Sequence, residues 1–77
     1  MTGKEIHRIL IQADMRLRGW KWMSRTAGSP LQTSKWLREE ARFLGEIAQF
    51  ATVPRDAQVA VSLARQYTAL ADDASLE

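Results

Sequence analysis

Cysteine is absent from this chain of 77 residues, and histidine occurs once, as His7. Without cysteine the chain forms no disulfide and offers no thiolate to a metal. A single imidazole does not supply the several ligands that a zinc site requires. We therefore expect no metal site and no cofactor. Because a domain of this size buries only about 60–65 % of the surface of its unfolded chain, stability must come from close helix packing, from self-association or from both.

Long apolar runs are missing as well. No stretch approaches the roughly 20 consecutive apolar residues that cross a bilayer, and the N terminus lacks the apolar core of a signal peptide. We therefore expect a cytoplasmic protein without a membrane span.

Charge is distributed unevenly along the chain, although the net charge is only +2. Residues 1–30 contain six Lys/Arg and two acidic residues, residues 31–53 contain three of each, and residues 54–77 contain two and four. A basic first segment can face an acidic protein surface, nucleic acid or the acidic last segment of the same chain. The sequence leaves these three alternatives open.

Apolar residues recur with a helical period throughout, and no segment alternates with the period of a strand. Helix starts are indicated by the capping box Thr2–Glu5, by Pro30 and by Pro54. The sequence predicts a single all-α domain over residues 1–77, with helix 1 at about 3–27, helix 2 at about 30–51 and helix 3 at about 54–72. Residues 73–77 are predicted to form an acidic tail. We expect the last two helices to form an antiparallel hairpin, with the first helix packed across it.

Helix 1 has two apolar stripes where a small bundle needs one. The main stripe comprises Ile6, Ile9, Leu10, Ala13, Leu17 and Trp20, and the second comprises Ile11, Met15 and Trp22. We expect the second stripe, flanked by Arg18 and Arg25, to be buried against an identical subunit in a homodimer or against a protein partner. Tryptophan and arginine are enriched in the residues that dominate binding energy at protein interfaces.

Helix 2 has a wide apolar arc made of two ridges. One ridge contains Leu37, Ala41, Leu44, Ala48 and Ala51, and the adjacent ridge contains Trp36, Phe43, Ile47 and Phe50. Glu40 falls inside this arc, so we expect a structural or partner-contact role, in which it pairs with an arginine across a helix interface or sits at the rim.

Residues with catalytic chemistry are few. The chain has no glycine-rich phosphate loop, no metal-ligand spacing and no plausible Ser/His/Asp set. His7 falls in the first helical turn, off the main apolar stripe, and we expect it to be a solvated surface residue. The sequence therefore predicts a protein that is not an enzyme.

Two short stretches suggest a different function. The segment "TSKWLREE" (33–40) resembles the start of the recognition helix of helix-turn-helix regulators, and "TAGSP" (26–30) resembles their glycine-containing turn. Ser24 and Ser34 depart from the small and apolar residues that such motifs prefer at these positions, and Pro30 is unusual in their turn.

This resemblance implies a DNA-binding transcriptional regulator with a degenerate motif around residues 20–42. Lys35, Arg38 and Arg42 are the cations that would meet the duplex. Glu39, Glu40 and Glu46 lie on the same helix and would repel phosphates.

A second resemblance covers residues 36–71. This segment is similar to short helical-hairpin proteins that are widespread in proteobacteria and their phages. The matching positions are Trp36, Ala41, Ile47, Ala48, Pro54, Leu63, Ala64, Tyr67, Leu70 and Ala71. The resemblance implies a helical hairpin, and some phage proteins of this size and architecture are dimeric inhibitors that cover a host protein.

These observations favour a small protein–protein interaction module. We expect a phage or mobile-element regulator that inhibits a host transcription regulator or defence component by occluding its surface. Its partner-binding residues would be Ile11, Met15, Arg18, Trp22 and Arg25. DNA binding through helix 2 is the alternative.

Overall fold

The chain is described by a computed structural model over residues 2–23 and 30–75, with side chains placed for 2–21 and 34–73. Three helices account for nearly all of this: α1 (Gly3–Met23), α2 (Pro30–Phe50) and α3 (Pro54–Ser75). No strand occurs in these two ranges. The prediction of an all-α fold with three helices is confirmed.

The helix boundaries follow the predicted signals at their starts. The backbone nitrogen of Glu5 donates a hydrogen bond to Thr2 Oγ1 at 3.2 Å, as a capping box requires. Helix α2 ends at Phe50, one residue before the predicted end. The part of helix 1 predicted for 24–27 lies outside the described residues.

The last helix is longer than predicted. Helix α3 continues to Ser75, so the prediction of an acidic tail is wrong for residues 73–75. No glycine or proline interrupts the helix there, and Arg38 of α2 forms an ion pair with Asp72 in this last part of α3.

The three helices run up, down and up. A link of three residues, 51–53, joins α2 to α3, and connections this short place consecutive helices antiparallel. Ser34 near the start of α2 accordingly reaches Ala71 near the end of α3. Trp20 near the end of α1 contacts Trp36 near the start of α2, so α1 runs antiparallel to α2 and parallel to α3. The predicted hairpin is confirmed, and α1 packs along it, with its backbone closer to α3 than to α2.

The core lies between the three helices in a bundle of 38 × 17 × 16 Å. Its buried apolar residues lie at intervals of three or four positions on α1 and α3, and of seven and three positions on α2, which puts them on one face of each helix. They are Ile6, Leu10, Ala13 and Leu17 of α1, Leu37, Leu44 and Ile47 of α2, and Ala60, Leu63, Tyr67 and Ala71 of α3. Alanine at positions 60 and 71 of α3 leaves room for the neighbouring helices.

Two hydroxyl groups enter this core, and both are paired. Tyr67 donates a hydrogen bond to the Ala13 carbonyl oxygen at 2.7 Å, and Ser34 Oγ donates one to the Ala71 carbonyl oxygen at 3.0 Å. Burial raises the pKa of the Tyr67 hydroxyl, and the negative charge of Glu40 raises it further. Within the described ranges no buried side-chain nitrogen or oxygen lacks a partner. The Tyr67 bond thus links α1 to α3 inside the core, and the Ser34 bond links α2 to α3.

Candidate interaction surfaces

The second apolar stripe of α1 lies on the outside of the bundle. Ile11 is 49 % exposed and Met15 is 65 % exposed, whereas Leu10, Ala13 and Leu17 on the opposite side are buried. A helix in a three-helix bundle turns one side toward its two neighbours, so a second stripe remains uncovered. The structure thus places both predicted apolar residues where another molecule can reach them.

Basic residues extend this stripe at both ends. Lys4, Arg8, Ile11, Met15 and Arg18 follow one another at intervals of four, three, four and three residues, and all five are exposed. Residues with this spacing lie along one line on a helix. We call this set the α1 outer stripe.

Of the three cations in this stripe, Lys4, Arg8 and Arg18, only Arg18 forms an ion pair with a residue in the described part of the chain. Its guanidinium lies 3.2 Å from Asp14 one turn earlier on α1; the Arg18 side chain is largely exposed and that of Asp14 is about half exposed. Exposed pairs of this kind contribute only a few tenths of a kcal/mol, about 0.3–0.5, to a helix. Arg18 therefore loses little by turning to a carboxylate of another molecule.

Two of the five predicted partner-binding residues fall outside what the structure describes. Trp22 lies in α1, and its position continues the spacing of the α1 outer stripe, but its side chain is outside the described set. Arg25 lies between the described ranges. Their predicted roles stay predictions.

A row of aromatic side chains on α2 forms a second exposed surface. Trp36, Phe43 and Phe50 are 50 %, 38 % and 64 % exposed, whereas Ile47 of the same predicted ridge is buried. Only part of the apolar arc of α2 is therefore buried. Helices α1 and α3 cover one side of α2. The three aromatics are spaced by seven residues, so they lie in one row at the margin of the covered side.

Acidic residues alternate with these aromatics. Glu39 and Glu46 follow Trp36 and Phe43 by three residues each, so the five residues from Trp36 to Phe50 again lie along one line. Both glutamates are exposed, and neither forms an ion pair with a residue in the described part of the chain. We call Trp36, Glu39, Phe43, Glu46 and Phe50 the α2 outer stripe.

The seam between α1 and α2 holds Trp36 in place. The rings of Trp20 and Trp36 meet edge to face, with centroids 5.9 Å apart and planes at 64°. This is a preferred geometry for aromatic pairs. Because Trp20 is itself packed against the core, it supports Trp36, which is still 50 % exposed.

An ion pair lies one turn further along this seam. Arg16 donates two hydrogen bonds to Glu40 Oε1, and the one from Nε measures 2.9 Å. The prediction that Glu40 pairs with an arginine across a helix interface is confirmed. Neutralised in this way, Glu40 adds no net charge to the seam.

The cations of the DNA-binding alternative have different surroundings. Arg38 forms an ion pair with Asp72 at 2.9 Å, whereas Lys35 and Arg42 are exposed and form none with the described residues. Helices α1 and α2 lie side by side and antiparallel, whereas the two helices of a helix-turn-helix cross at about 90–120°. The predicted turn itself falls between residues 23 and 30, outside the described ranges.

His7 is largely exposed, which confirms the expectation of a solvated histidine, and its Nδ1 lies 3.8 Å from Asp56 Oδ1. The two line a shallow depression together with Gly3, Lys4, Arg8, Ile11 and Gln12.

In the two described ranges, no three His, Asp or Glu residues are grouped as a metal site would require. No helix within these ranges has the length and apolar content needed to span a membrane.

No protein-family model, curated protein or solved structure matches this chain. The predicted resemblance to phage helical-hairpin proteins therefore stays a prediction.

Proposed function

We propose that this chain is a non-enzymatic protein-binding module that docks through the α1 outer stripe. We further propose that the chain is a phage or mobile-element regulator. It would inhibit a host transcription regulator or defence component by covering the functional surface of that host protein. A homodimer or a complex with the host factor would bury the same stripe.

The observation that carries this proposal is the exposure of Ile11 and Met15 one turn apart on a helix whose opposite side is fully packed. Leaving two large apolar side chains in water costs free energy that a polar residue would avoid. Exposed apolar groups rimmed by charge are typical of protein–protein interaction sites.

The chemistry of the stripe indicates the kind of surface it fits. Arg8 and Arg18 flank Ile11 and Met15, so the complementary surface has an apolar centre with carboxylates around it. Guanidinium groups bind carboxylates with two parallel hydrogen bonds, which gives such a contact direction as well as strength. The flexible thioether of Met15 adapts to partners of different shape.

Capture of the partner tests the proposal. The wild-type chain and an Ile11→Asp/Met15→Asp variant are immobilised at equal density and exposed to lysate of the source cells. A Val61→Asp variant is the matched control, because Val61 is an exposed apolar residue on α3, away from both outer stripes. We expect a protein retained by wild type and control and lost with the double variant, and the purified protein should then bind with a defined stoichiometry in calorimetry. Retention of the same proteins by all three chains would contradict the proposal.

DNA binding remains the second candidate because Lys35 and Arg42 are exposed cations without an ion pair among the described residues. It ranks below protein binding because Glu39 and Glu46 lie on the same exposed side of α2 and would face the phosphates.

A further inference from the structure

We propose that the α1 outer stripe of one copy docks on the α2 outer stripe of a second copy. The contact would be heterologous, with a different surface contributed by each copy. This inference rests on the proposed function, because it names a partner for the same α1 outer stripe.

Charge complementarity favours a second copy of the chain as the partner of the α1 outer stripe. The α1 outer stripe carries three cations, Lys4, Arg8 and Arg18, and the α2 outer stripe carries two carboxylates, Glu39 and Glu46. The carboxylates are exposed and form no ion pair within the described part of the chain. Like charges placed face to face are costly at an interface, so the pairing of opposite stripes is favoured.

The same charges disfavour the two symmetric pairings. If two α2 outer stripes met antiparallel, Glu39 of one copy would lie close to Glu46 of the other. Two α1 outer stripes would likewise bring Arg8 and Arg18 toward their counterparts. A contact between the two different stripes instead places Arg8 and Arg18 near Glu39 and Glu46.

The apolar groups also match in position. In the α1 outer stripe Ile11 and Met15 lie between Arg8 and Arg18, which are separated by about 15 Å along the helix at about 1.5 Å per residue. In the α2 outer stripe Phe43 lies between Glu39 and Glu46, which are separated by about 10 Å on the same measure. Long arginine side chains bridge this difference, so Ile11 and Met15 can pack beside Phe43 while the guanidinium groups reach the glutamates.

A heterologous contact leaves one stripe free on each terminal copy. It therefore produces short chains of copies, or a ring where the rotation closes. In either form, most α1 outer stripes are covered by another copy, and self-association competes with any other protein for that stripe.

Two single substitutions separate the surfaces. Met15→Glu places an acid in the α1 outer stripe, and Phe50→Lys places a cation in the α2 outer stripe. The two residues are matched, because Met15 is 65 % and Phe50 64 % exposed, and both replacements are good helix formers. Val61→Glu on α3 is the control for adding charge at an exposed apolar position.

The measurement is the mass of the purified chain by sedimentation equilibrium, with helicity and thermal unfolding recorded for each variant. We expect wild type and Val61→Glu to exceed the 8.7 kDa of one copy as concentration rises. Met15→Glu and Phe50→Lys should each weaken association at least about tenfold when measured alone. An equimolar mixture of these two variants should form a pair of twice the single-copy mass and nothing larger, because each contributes the stripe that the other has lost.

Several outcomes overturn the proposal. Wild type that remains a single copy at about 100 micromolar would do so, because a contact that weak would leave most α1 outer stripes uncovered. Association that is lost with only one of the two variants would indicate a symmetric contact through that stripe instead. A mixture that remains monomeric would exclude the heterologous contact.

Charge reversal provides an independent measurement if either apolar variant unfolds. A chain with Glu39→Arg and Glu46→Arg should associate less with itself, and addition of a chain with Arg8→Glu and Arg18→Glu should restore association. Failure of this restoration would contradict the role of charge in the contact.

Failure of this inference is distinguishable from failure of the proposed function. The Phe50→Lys variant keeps its α1 outer stripe, so it should still capture a heterologous protein when self-association is lost. Capture by wild type without self-association leaves the proposed function standing and overturns only the copy-to-copy contact. Self-association without capture of another protein would leave the copy-to-copy contact standing and overturn only the proposed function.

Discussion

The Tyr67 hydroxyl donates a hydrogen bond to the Ala13 carbonyl oxygen at 2.7 Å, and both residues are fully buried. The bond joins the middle of α1 to α3, the helix to which its backbone lies closer. The bond lies within the buried stripe of α1, which includes Ile6, Leu10 and Leu17. With this stripe facing the core, Ile11 and Met15 point outward.

Replacing Tyr67 with phenylalanine should lower the free energy of unfolding by about 1–2 kcal/mol. The ring remains packed, but the buried hydrogen bond to Ala13 is lost. Chemical denaturation monitored by circular dichroism measures the change. Thr68→Val is the control, because Thr68 bonds to the Ala64 carbonyl oxygen on the exposed side of α3 and its replacement should change stability by less than about 0.5 kcal/mol. Equal effects of the two substitutions would show that the buried hydrogen bond of Tyr67 contributes no more to stability than the exposed one of Thr68.

Stability should fall at alkaline pH because of the same residue. Burial raises the pKa of the Tyr67 hydroxyl in the folded chain, with a further contribution from Glu40. The unfolded chain therefore loses this proton first, near pH 10, so stability is complete below that pH and decreases as pH rises toward the folded pKa. The chain contains one tyrosine, so tyrosinate absorbance reports on this group alone. We expect titration above the ordinary tyrosine range and a shallower loss of stability in Tyr67→Phe; titration at the ordinary pKa would contradict the prediction.

Helical periodicity was sufficient to predict the three helices and their buried faces. The main stripe of α1 and the starts at Pro30 and Pro54 are local signals, and each is found in the structure. The end of α3 lies three residues beyond the predicted one. No glycine or proline marks a stop near Asp72 and Asp73, so the sequence carries no sharp signal for the helix end there.

The division of α2 between core and surface was not predictable from periodicity. Trp36, Phe43 and Phe50 have the same apolar character as Ile47, and only the positions of α1 and α3 decide which of them is covered. The alternation of aromatics with Glu39 and Glu46 at intervals of three and four residues was the available signal. Buried stripes rarely carry a glutamate at every second position, because burial of an unpaired charge is costly.

The Arg16–Glu40 pair should contribute modestly to stability. Both side chains are partly exposed, so we expect a coupling free energy of about 0.5–1 kcal/mol in a double-mutant cycle built from Arg16→Gln and Glu40→Gln. The Asp14–Arg18 pair is a suitable comparison, since it is more exposed and lies within one helix; its coupling should be below about 0.5 kcal/mol. A larger coupling free energy for Asp14–Arg18 than for Arg16–Glu40 would mean that partial burial at the α1–α2 seam does not strengthen the Arg16–Glu40 pair.

Binding to duplex DNA separates the two candidate functions most directly. Proteins that bind phosphates release counterions, so their affinity falls steeply with salt, whereas an interface centred on apolar side chains changes little. We expect fluorescence anisotropy with labelled mixed-sequence duplex to show no binding at moderate salt, and at low salt only weak binding that Arg42→Ala leaves within about twofold. Glu39 and Glu46 beside Arg42 are the physical reason, because their charges offset the cation at the surface that would face the duplex. Tight binding with a steep salt dependence, lost in both Arg38→Ala and Arg42→Ala, would instead make α2 a DNA-reading helix. The aromatic residues of the α2 outer stripe would then need a different explanation from the contact between copies proposed above.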